Sequence, residues 1–209
     1  MMDRLRPMTK NLLIANVIVF AIQLGMENFL RIDSVQLFGL RYFGASEFAP
    51  YQLITYMFSH STSSLWHIIG NMFAVYMFGS SLEQVWGSKR FLQFYLITGI
   101  GAGVLHQLVS GIDLYLTFGT FNVAEVSMQY QAYADALMNV PMVGASGAVF
   151  GILLAFAMLF PDVKLMLLFP PIPIKAKFFV LFYGLYELYA IIQNSPTDNT
   201  AHFAHLGGM

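Results

Sequence analysis

The chain has little charge and no cysteine. Its 209 residues include 10 Lys and Arg against 11 Asp and Glu, so charged side chains are 10% of the sequence and the net charge is −1. Soluble domains carry about 25% charged residues, which argues against a soluble globular protein. No basic excess points to nucleic acid as a partner. Without cysteine there is no disulfide framework and no thiolate chemistry.

Apolar residues supply what charge does not. They make up 57% of the chain, and aromatic residues alone make up 16%. A membrane span needs about 20 mostly apolar residues, and the chain contains five such segments and the start of a sixth within one domain, 1–209. We therefore predict an all-α fold, a polytopic bundle of six transmembrane helices. The predicted spans begin and end near Asn11–Met26, Leu65–Val85, Phe91–Ile112, Val143–Phe160 and Ala176–Gln193, with a sixth from Ala201.

The two ends of the chain give further expectations. Residues 1–10 are basic and precede an apolar run long enough to span, with no small-residue cleavage site, so we expect a retained cytoplasmic N-terminus. Residues 201–209 are the start of the sixth helix. Nine helical residues extend only about 13 Å, against a hydrocarbon core of about 30 Å. We therefore expect the sixth helix to be truncated in this chain.

Basic residues set the expected orientation. With the N-terminus inside, eight of the ten Lys and Arg fall on the inner side and two on the outer side, which is the pattern of the positive-inside rule. The inner residues are Arg4, Arg6, Lys10, Lys89, Arg90, Lys164, Lys175 and Lys177, and the outer ones are Arg31 and Arg41. Residues 27–64 then form an outer loop, whose aromatic and glycine-rich stretches predict short membrane-associated helices.

Ser146 and His205 are two polar groups in apolar segments. Such groups are costly in a bilayer and are functional hypotheses by default. Both spans run inward, so each residue lies about one helical turn, roughly 5 Å, below the outer face. A hydroxyl and an imidazole at one depth suggest a nucleophile and its base. Gly147, Gly151 and the pair Gly207-Gly208 would let the two helices pack closely.

Each residue also has a simpler interpretation. Ser146 alone is typical of a packing serine that bonds a backbone carbonyl. His205, with His202 three residues earlier, is equally typical of a metal or haem ligand pair. His67 and Asn71 share one helical face and can donate hydrogen bonds to an oxyanion or act as a polar clamp between helices. Two acidic groups in the spans, Glu83 and Glu187, are expected to be hydrogen-bond partners between helices.

Together these residues resemble the rhomboid family of intramembrane serine proteases. The resemblance covers roughly residue 51 to the end of the chain and includes the predicted six-span layout. It rests on four motifs in the family's order, namely His67-x-x-x-Asn71, Glu83 to Gly87, Gly144-x-Ser146-Gly147 and Ala204-His205-x-x-Gly208.

The resemblance implies a role for each matching residue. Ser146 resembles the nucleophile and His205 the general base, working as a dyad without an aspartate. His67, Asn71 and the Ser146 amide resemble the oxyanion hole, with Gly144 as the tight turn that opens the nucleophile helix. Three further features also have counterparts: Phe150 as the ring that stacks on the catalytic imidazole, His60 as a loop histidine, and the aromatic fifth span as a lateral gate.

The implied function is intramembrane proteolysis. We expect single-span transmembrane proteins in the lipid bilayer to be cut near the outer face, without cofactor, metal or nucleic acid. A bacterial inner membrane, with the N-terminus cytoplasmic and the site opening outward, is the expected location. Two alternatives stay open: a catalytically silent rhomboid-like protein that binds membrane clients, and a metal or haem protein that uses His60, His67, His202 and His205.

Overall fold

Helices dominate the computed structural model, which describes residues 5–167, 171–193 and 202–209. The α-helices are α1 (Pro7–Gly25), α2 (Ser34–Phe38), α3 (Gln52–Thr55), α4 (Leu65–Ala74), α5 (Ser80–Trp86), α6 (Ser88–Phe118), α7 (Met128–Met138), α8 (Ser146–Leu159), α9 (Ala176–Gln193) and α10 (His202–Gly208). A π-helical turn at Met26–Leu30 extends helix α1, and a second at Val75–Gly79 joins α4 to α5. A 3-10 turn covers Val123–Glu125.

The predicted apolar segments correspond to helices in the structure. The fifth segment coincides with α9, and the second corresponds to α4, its π-helical turn and α5. The third continues past its predicted end at Ile112 to Phe118. The fourth begins later than predicted, because residues 143–145 form a non-helical turn before α8. The sixth begins at His202, and Ala201 lies outside the described residues.

Helix length and composition identify fewer spans than the sequence predicts. Among the described residues, Pro7–Leu30 and Ser88–Glu125 are long and apolar enough to cross a membrane. Ser146–Leu159 is apolar but shorter; at about 1.5 Å per residue it extends roughly 21 Å. The six-span arrangement therefore stays a prediction.

The fold is mostly helical, as predicted, and two short strands are the exception to the predicted all-α fold. Strands β1 (Lys164–Met166) and β2 (Pro173–Lys175) form an antiparallel hairpin between α8 and α9. Asp162 beside it accepts hydrogen bonds from two lysines, at 2.9 Å from Lys175 and 3.0 Å from Lys177. The proline-rich segment at 170–173 lies partly outside the described residues. In the sequence it indicates only a break between the fourth and fifth helical segments. Three-residue strands have too few alternating positions to reveal a hairpin from sequence.

Residues 27–64, the predicted outer loop, contain α2 and α3 and pack against the segment that leads into α8. Leu40 and Met142 exchange backbone hydrogen bonds of 2.8 and 2.9 Å. The side chain of Arg41 is 2% exposed; it pairs with Glu47 at 2.8 Å and donates to the Asn139 carbonyl at 3.0 Å. These contacts fix the position of residues 138–143, just before the first turn of α8.

Glu83 joins the first helix to α5. Its carboxylate accepts hydrogen bonds from the Met8 and Thr9 amides at 2.9 and 2.7 Å, and from Ser88 Oγ at 2.6 Å. The amides at the start of α1 have no partners within their own helix, so the carboxylate satisfies them. Its predicted role as a hydrogen-bond partner between helices is confirmed.

Small residues bring the backbones of α8 and α10 into contact. A Cβ atom added to Gly151 would lie 2.6 Å from the Gly208 carbonyl oxygen and 2.8 Å from Thr98 Cβ. A Cβ atom on Gly207 would lie 3.0 Å from Ala102 Cα, because α6 packs on the other side of α10. The predicted close packing of these two helices is confirmed, and it leaves no room for larger side chains.

Gly151→Ala is therefore expected to destabilise the fold. The added methyl group would force α8 away from α10 and α6, and such overpacking costs about 1–3 kcal/mol. The matched control is Gly70→Ala, because no atom lies within 4 Å of a Cβ added at Gly70. Equilibrium unfolding in mixed micelles should show a lower free energy of unfolding for Gly151→Ala than for Gly70→Ala. Equal values for the two variants would contradict the close packing.

Candidate active site

Ser146 is the first residue of α8, and the turn before it determines its position. Gly144 has φ +128°, a region that favours glycine, and its amide donates to the Tyr56 carbonyl at 2.9 Å. A Cβ atom at Gly144 would lie 2.8 Å from His67 Nε2. The glycine therefore permits both the turn and the approach of His67. The sharp turn ends at Ser146, whose side chain is half-buried.

His205 lies within hydrogen-bond distance of Ser146. Its Nε2 is 2.9 Å from Ser146 Oγ, although 59 residues separate the two in the chain. The imidazole stacks on Phe150, with ring centroids 4.3 Å apart and planes inclined by 11°. The packing of α10 against α8 thus brings the two residues together, and Phe150, one turn after Ser146, holds the ring in its orientation.

The other ring nitrogen of His205 faces a carboxylate. Its Nδ1 is 3.1 Å from Glu187 Oε2, and His202 Nδ1 is 2.5 Å from the same oxygen. The Glu187 side chain is 2% exposed. Its expected role as a hydrogen-bond partner between helices is confirmed, because it joins α9 to α10. The contact with His205 was not predicted; the only signal in the sequence is a carboxylate within an apolar helix.

His67 and Asn71 lie on α4 across the cleft from α10. His67 Nδ1 accepts a hydrogen bond from the Ser61 amide at 3.1 Å, so in the neutral ring the proton is on Nε2. That nitrogen faces Gly144. Asn71 Nδ2 donates to the His67 carbonyl at 2.9 Å, and its second N–H remains for another acceptor.

One open cleft brings the predicted site residues together. It has a volume of about 2130 Å³ and is lined by Ser146, His205, His67, Asn71 and Gly144. The arrangement contains a hydroxyl next to an imidazole base, an imidazole N–H opposite, and the first backbone N–H groups of α8. Such groups can transfer a proton from the hydroxyl and donate hydrogen bonds to an oxyanion.

His60 is a buried loop histidine next to His67. Their ring centroids are 5.2 Å apart, and the His60 backbone exchanges hydrogen bonds of 2.9 and 3.2 Å with the Gln23 side chain. Burial, with the positive charge of a protonated His67 as a smaller cause, lowers the pKa of His60 to about 4. The His60 backbone thus anchors the loop to α1, and the buried ring stays neutral above about pH 4.

The lowered pKa of His60 predicts loss of stability in acid. Between about pH 6.5 and pH 4 the unfolded chain binds a proton at His60 and the folded chain does not, so stability falls as pH falls, by about 3 kcal/mol in total. His60→Asn should flatten this dependence. Unfolding in mixed micelles at pH 7.5 and at pH 4.5 measures it, and an unchanged difference between the two pH values in His60→Asn would refute the assignment.

The histidines of the predicted metal or haem site form two separate pairs. His60 is next to His67, and His202 is next to His205, with ring centroids 6.2 Å apart. One potential ligand atom each from Glu187, His202 and His205 lie within 4.8 Å of one another. A His₂Glu set is a zinc ligand type. Within the part of the chain that the structure describes, these three groups are therefore the candidate ligands for a metal ion.

The aromatic rings of α9 divide between the site and the surface. Tyr183 packs on Phe150, with centroids 4.8 Å apart, next to the stacked His205. Four other rings are largely exposed, those of Phe178, Phe182, Tyr186 and Tyr189. A lateral gate along α9 stays a prediction; exposed rings on a membrane helix are also typical of lipid contact.

Comparison with known proteins identifies relatives. A family described as "Rhomboid domain" matches residues 47–209. Rhomboid protein 1, mitochondrial, of Saccharomyces cerevisiae is 31% identical over 116 residues, 56% of this chain and 27% of its own length. RHOMBOID-like protein 12, mitochondrial, of Arabidopsis thaliana is 31% identical over 156 residues, 75% of this chain and 42% of its own. The human Presenilin-associated rhomboid-like protein, mitochondrial, is 29% identical over 160 residues, 75% and 34%.

These relatives correct the predicted location. All three are named as mitochondrial proteins, and the prediction of a bacterial inner membrane is therefore wrong. The hydropathy of a span and the bias of basic residues depend on the thickness and sidedness of a bilayer. Hydropathy and charge bias therefore do not indicate in which cell or organelle the bilayer lies. The chain spans between about a quarter and two fifths of the length of these relatives.

Proposed function

This chain belongs to the rhomboid family, and on that premise we propose that it is an intramembrane serine endopeptidase. Rhomboid proteins act on membrane protein substrates within the lipid bilayer. The observation that carries the proposal is the 2.9 Å distance between Ser146 Oγ and His205 Nε2, inside a cleft that also contains His67. A hydroxyl in such contact with an imidazole is an activated nucleophile when the imidazole accepts its proton.

The proposed reaction follows acyl transfer. His205 Nε2 takes the Oγ proton as Oγ bonds to the peptide carbonyl carbon, and the carbonyl electron pair moves to oxygen. His67 Nε2–H, the Asn71 amide and the Ser146 backbone N–H donate to this oxyanion. The proton on His205 then passes to the leaving amine. Water, deprotonated by His205, releases the acyl group from Ser146.

Gly144 supports this chemistry through the backbone. The positive φ directs the chain so that α8 begins at Ser146, and its missing Cβ leaves room for His67 Nε2. Backbone N–H groups in the first turn of a helix have no acceptor within that helix, so they are available to an oxyanion.

The proposed topology is one membrane domain over residues 1–209 with six spans. Residues 1–10 lie on one side of the membrane, and residues 27–64 form a membrane-associated loop on the other side. Residues 201–209 begin the sixth span. Ser146 and His205 then lie about one turn below the face opposite the N-terminus, from which water reaches them. Single-span transmembrane proteins are the proposed substrates, and a helix weakened by Gly or Pro near that face is the segment that can unwind into the cleft.

Reconstitution tests the proposal against the client-binding alternative. The full chain is placed in liposomes with a single-span substrate that carries a Gly-Pro pair near one membrane face. Cleavage at that segment, located by mass spectrometry, and labelling of Ser146 by a fluorophosphonate are the expected results. A folded protein that binds the substrate, leaves it intact and resists labelling would overturn the protease proposal in favour of client binding.

A further inference from the structure

We propose that Glu187 is a positioning residue for His205, so that the site works as a Ser146–His205–Glu187 series and not as an isolated dyad. The proposal rests on the proposed protease function and extends it. It arises from one geometric fact: the two nitrogens of the His205 ring contact different partners, Ser146 Oγ at 2.9 Å and Glu187 Oε2 at 3.1 Å.

The carboxylate determines where the imidazole proton lies. An ionised carboxylate only accepts hydrogen bonds, so Nδ1 of a neutral His205 must carry the proton in this contact. Nε2 then presents its lone pair to Ser146, which is the form that a general base needs. The opposite tautomer would place N–H against the serine hydroxyl and could not remove its proton. Glu187 thus selects the reactive tautomer without touching Ser146.

The negative charge of Glu187 also favours His205 as the base. His205 becomes positively charged when it takes the Ser146 proton, and the Glu187 carboxylate lies against its other edge. Glu187 is 2% exposed, and attraction between opposite charges is stronger away from water. The carboxylate therefore stabilises the imidazolium as it forms. A buried carboxylate is costly unless it is hydrogen-bonded or paired, which makes a purely incidental position unfavourable.

His202 holds the same carboxylate from the other side. It lies one turn before His205 on α10, and its Nδ1 is 2.5 Å from Glu187 Oε2. Two imidazoles of one short helix therefore converge on one oxygen of α9. This contact keeps the carboxylate fixed relative to α10, while Phe150 of α8 restrains the His205 ring by stacking. The base is thus oriented by neighbours on two other helices.

No further reactant is needed. The Ser146 proton moves to His205 Nε2 as the Oγ–carbon bond forms, and the carbonyl electron pair moves to oxygen. The Nδ1 proton stays on His205 throughout and remains hydrogen-bonded to Glu187. The carboxylate is neither protonated nor consumed, as in other triads of this type.

The test compares Glu187→Gln with Glu187→Asp in the reconstituted cleavage assay. Gln keeps the size of the side chain but loses the charge, and its N–H₂ group can donate to Nδ1 and so favour the wrong tautomer. We expect Glu187→Gln to lower kcat by at least tenfold, up to about 10⁴-fold, with KM changed less than about threefold. Asp is shorter but keeps the charge, and should recover at least about tenfold of the loss caused by Gln.

Glu83→Gln is the matched control. Glu83 is also a buried helix carboxylate with several hydrogen bonds, but it binds the start of α1. Its amide variant should lower the unfolding temperature and leave kcat unchanged. A structural role for Glu187 would give the same result, with Asp at least as harmful as Gln because it leaves a gap. Wild-type kcat in Glu187→Gln, or Asp less active than Gln, overturns the positioning role.

Two further measurements distinguish the positioning role from a failure of the protease proposal and from a metal site. Wild-type protein and Ser146→Ala are compared in the same assay; if neither or both cleave, the protease proposal fails, and if only the wild type cleaves, Glu187→Gln alone decides the inference. Zn²⁺ is the metal probe. One tightly bound Zn²⁺ per chain that is lost in Glu187→Gln, with cleavage increased by a chelator, would assign the three groups to a metal site and overturn the positioning role.

Discussion

Ser146→Ala is expected to abolish cleavage of a transmembrane substrate. The substitution removes the atom that bonds to the peptide carbonyl, and the remaining hydrogen-bond donors cannot replace a nucleophile. Loss of the serine in a soluble serine protease reduces kcat by about 10⁶, so we expect a fall of about 10⁴ or more, below detection in a gel-based assay. Fluorophosphonate labelling should disappear with it.

The control for this variant is another serine at a helix start. Ser127 precedes α7, is exposed, and makes no side-chain capping hydrogen bond. Ser127→Ala should therefore cleave and label like the wild type. The Ser146 hydroxyl is small and half-buried, so its removal should shift the unfolding temperature little. Residual cleavage by Ser146→Ala above a hundredth of the wild-type rate would exclude it as the nucleophile.

His205→Ala is the second large effect. Without the imidazole, the Ser146 proton has no base at 2.9 Å, and the serine hydroxyl is a weak nucleophile at its free pKa. We expect kcat to fall by about 10⁴ or more, together with slower fluorophosphonate labelling. Loss of the Phe150 stack and the Glu187 contact should also lower the unfolding temperature.

Non-additivity distinguishes a lost base from a damaged fold. If Ser146 and His205 act as one unit, the double variant Ser146→Ala, His205→Ala is no less active than either single variant. An unfolding temperature measured for each variant gives the stability change separately. A His205→Ala protein that labels at the wild-type rate would show that Ser146 is activated by some other group.

Helix positions were predictable wherever local sequence decides them. The predicted fifth segment coincides with α9, because a continuous apolar stretch with helix-forming residues needs no distant partner to be recognised. The glycines of α8 and α10 likewise predicted close packing. By contrast, α7 lies in a polar segment that carried little signal, and its apolar contacts with residues 42–45 and 123–126 form only in the fold.

The residues of the site could likewise be predicted from the sequence, but their contacts could not. Ser146, His205, His67, Asn71 and Gly144 could be named in advance because each is a polar or conformationally special residue in an apolar or glycine-rich context. The distances between these side chains could not be predicted, because the contacts join residues far apart in the chain. Ser146 and His205 are 59 residues apart, and Glu187 and His205 are 18 residues apart. The sequence predicts Glu187 only as a hydrogen-bond partner between helices, since its contact with His205 depends on how α9 and α10 are rotated.

The sequence by itself determined that this chain is an apolar, helix-rich rhomboid-family protein, and it predicted a serine and a histidine at one membrane depth. Composition and helical spacing are local properties, so they needed no coordinates. Only the tertiary structure decided which nitrogen of His205 faces Ser146 and which faces Glu187. Ring orientation depends on three helices packing together at once, α8 through Phe150, α9 through Glu187 and α10 through His205. Contacts of that kind arise from the fold as a whole and have no counterpart in the spacing of residues along the chain.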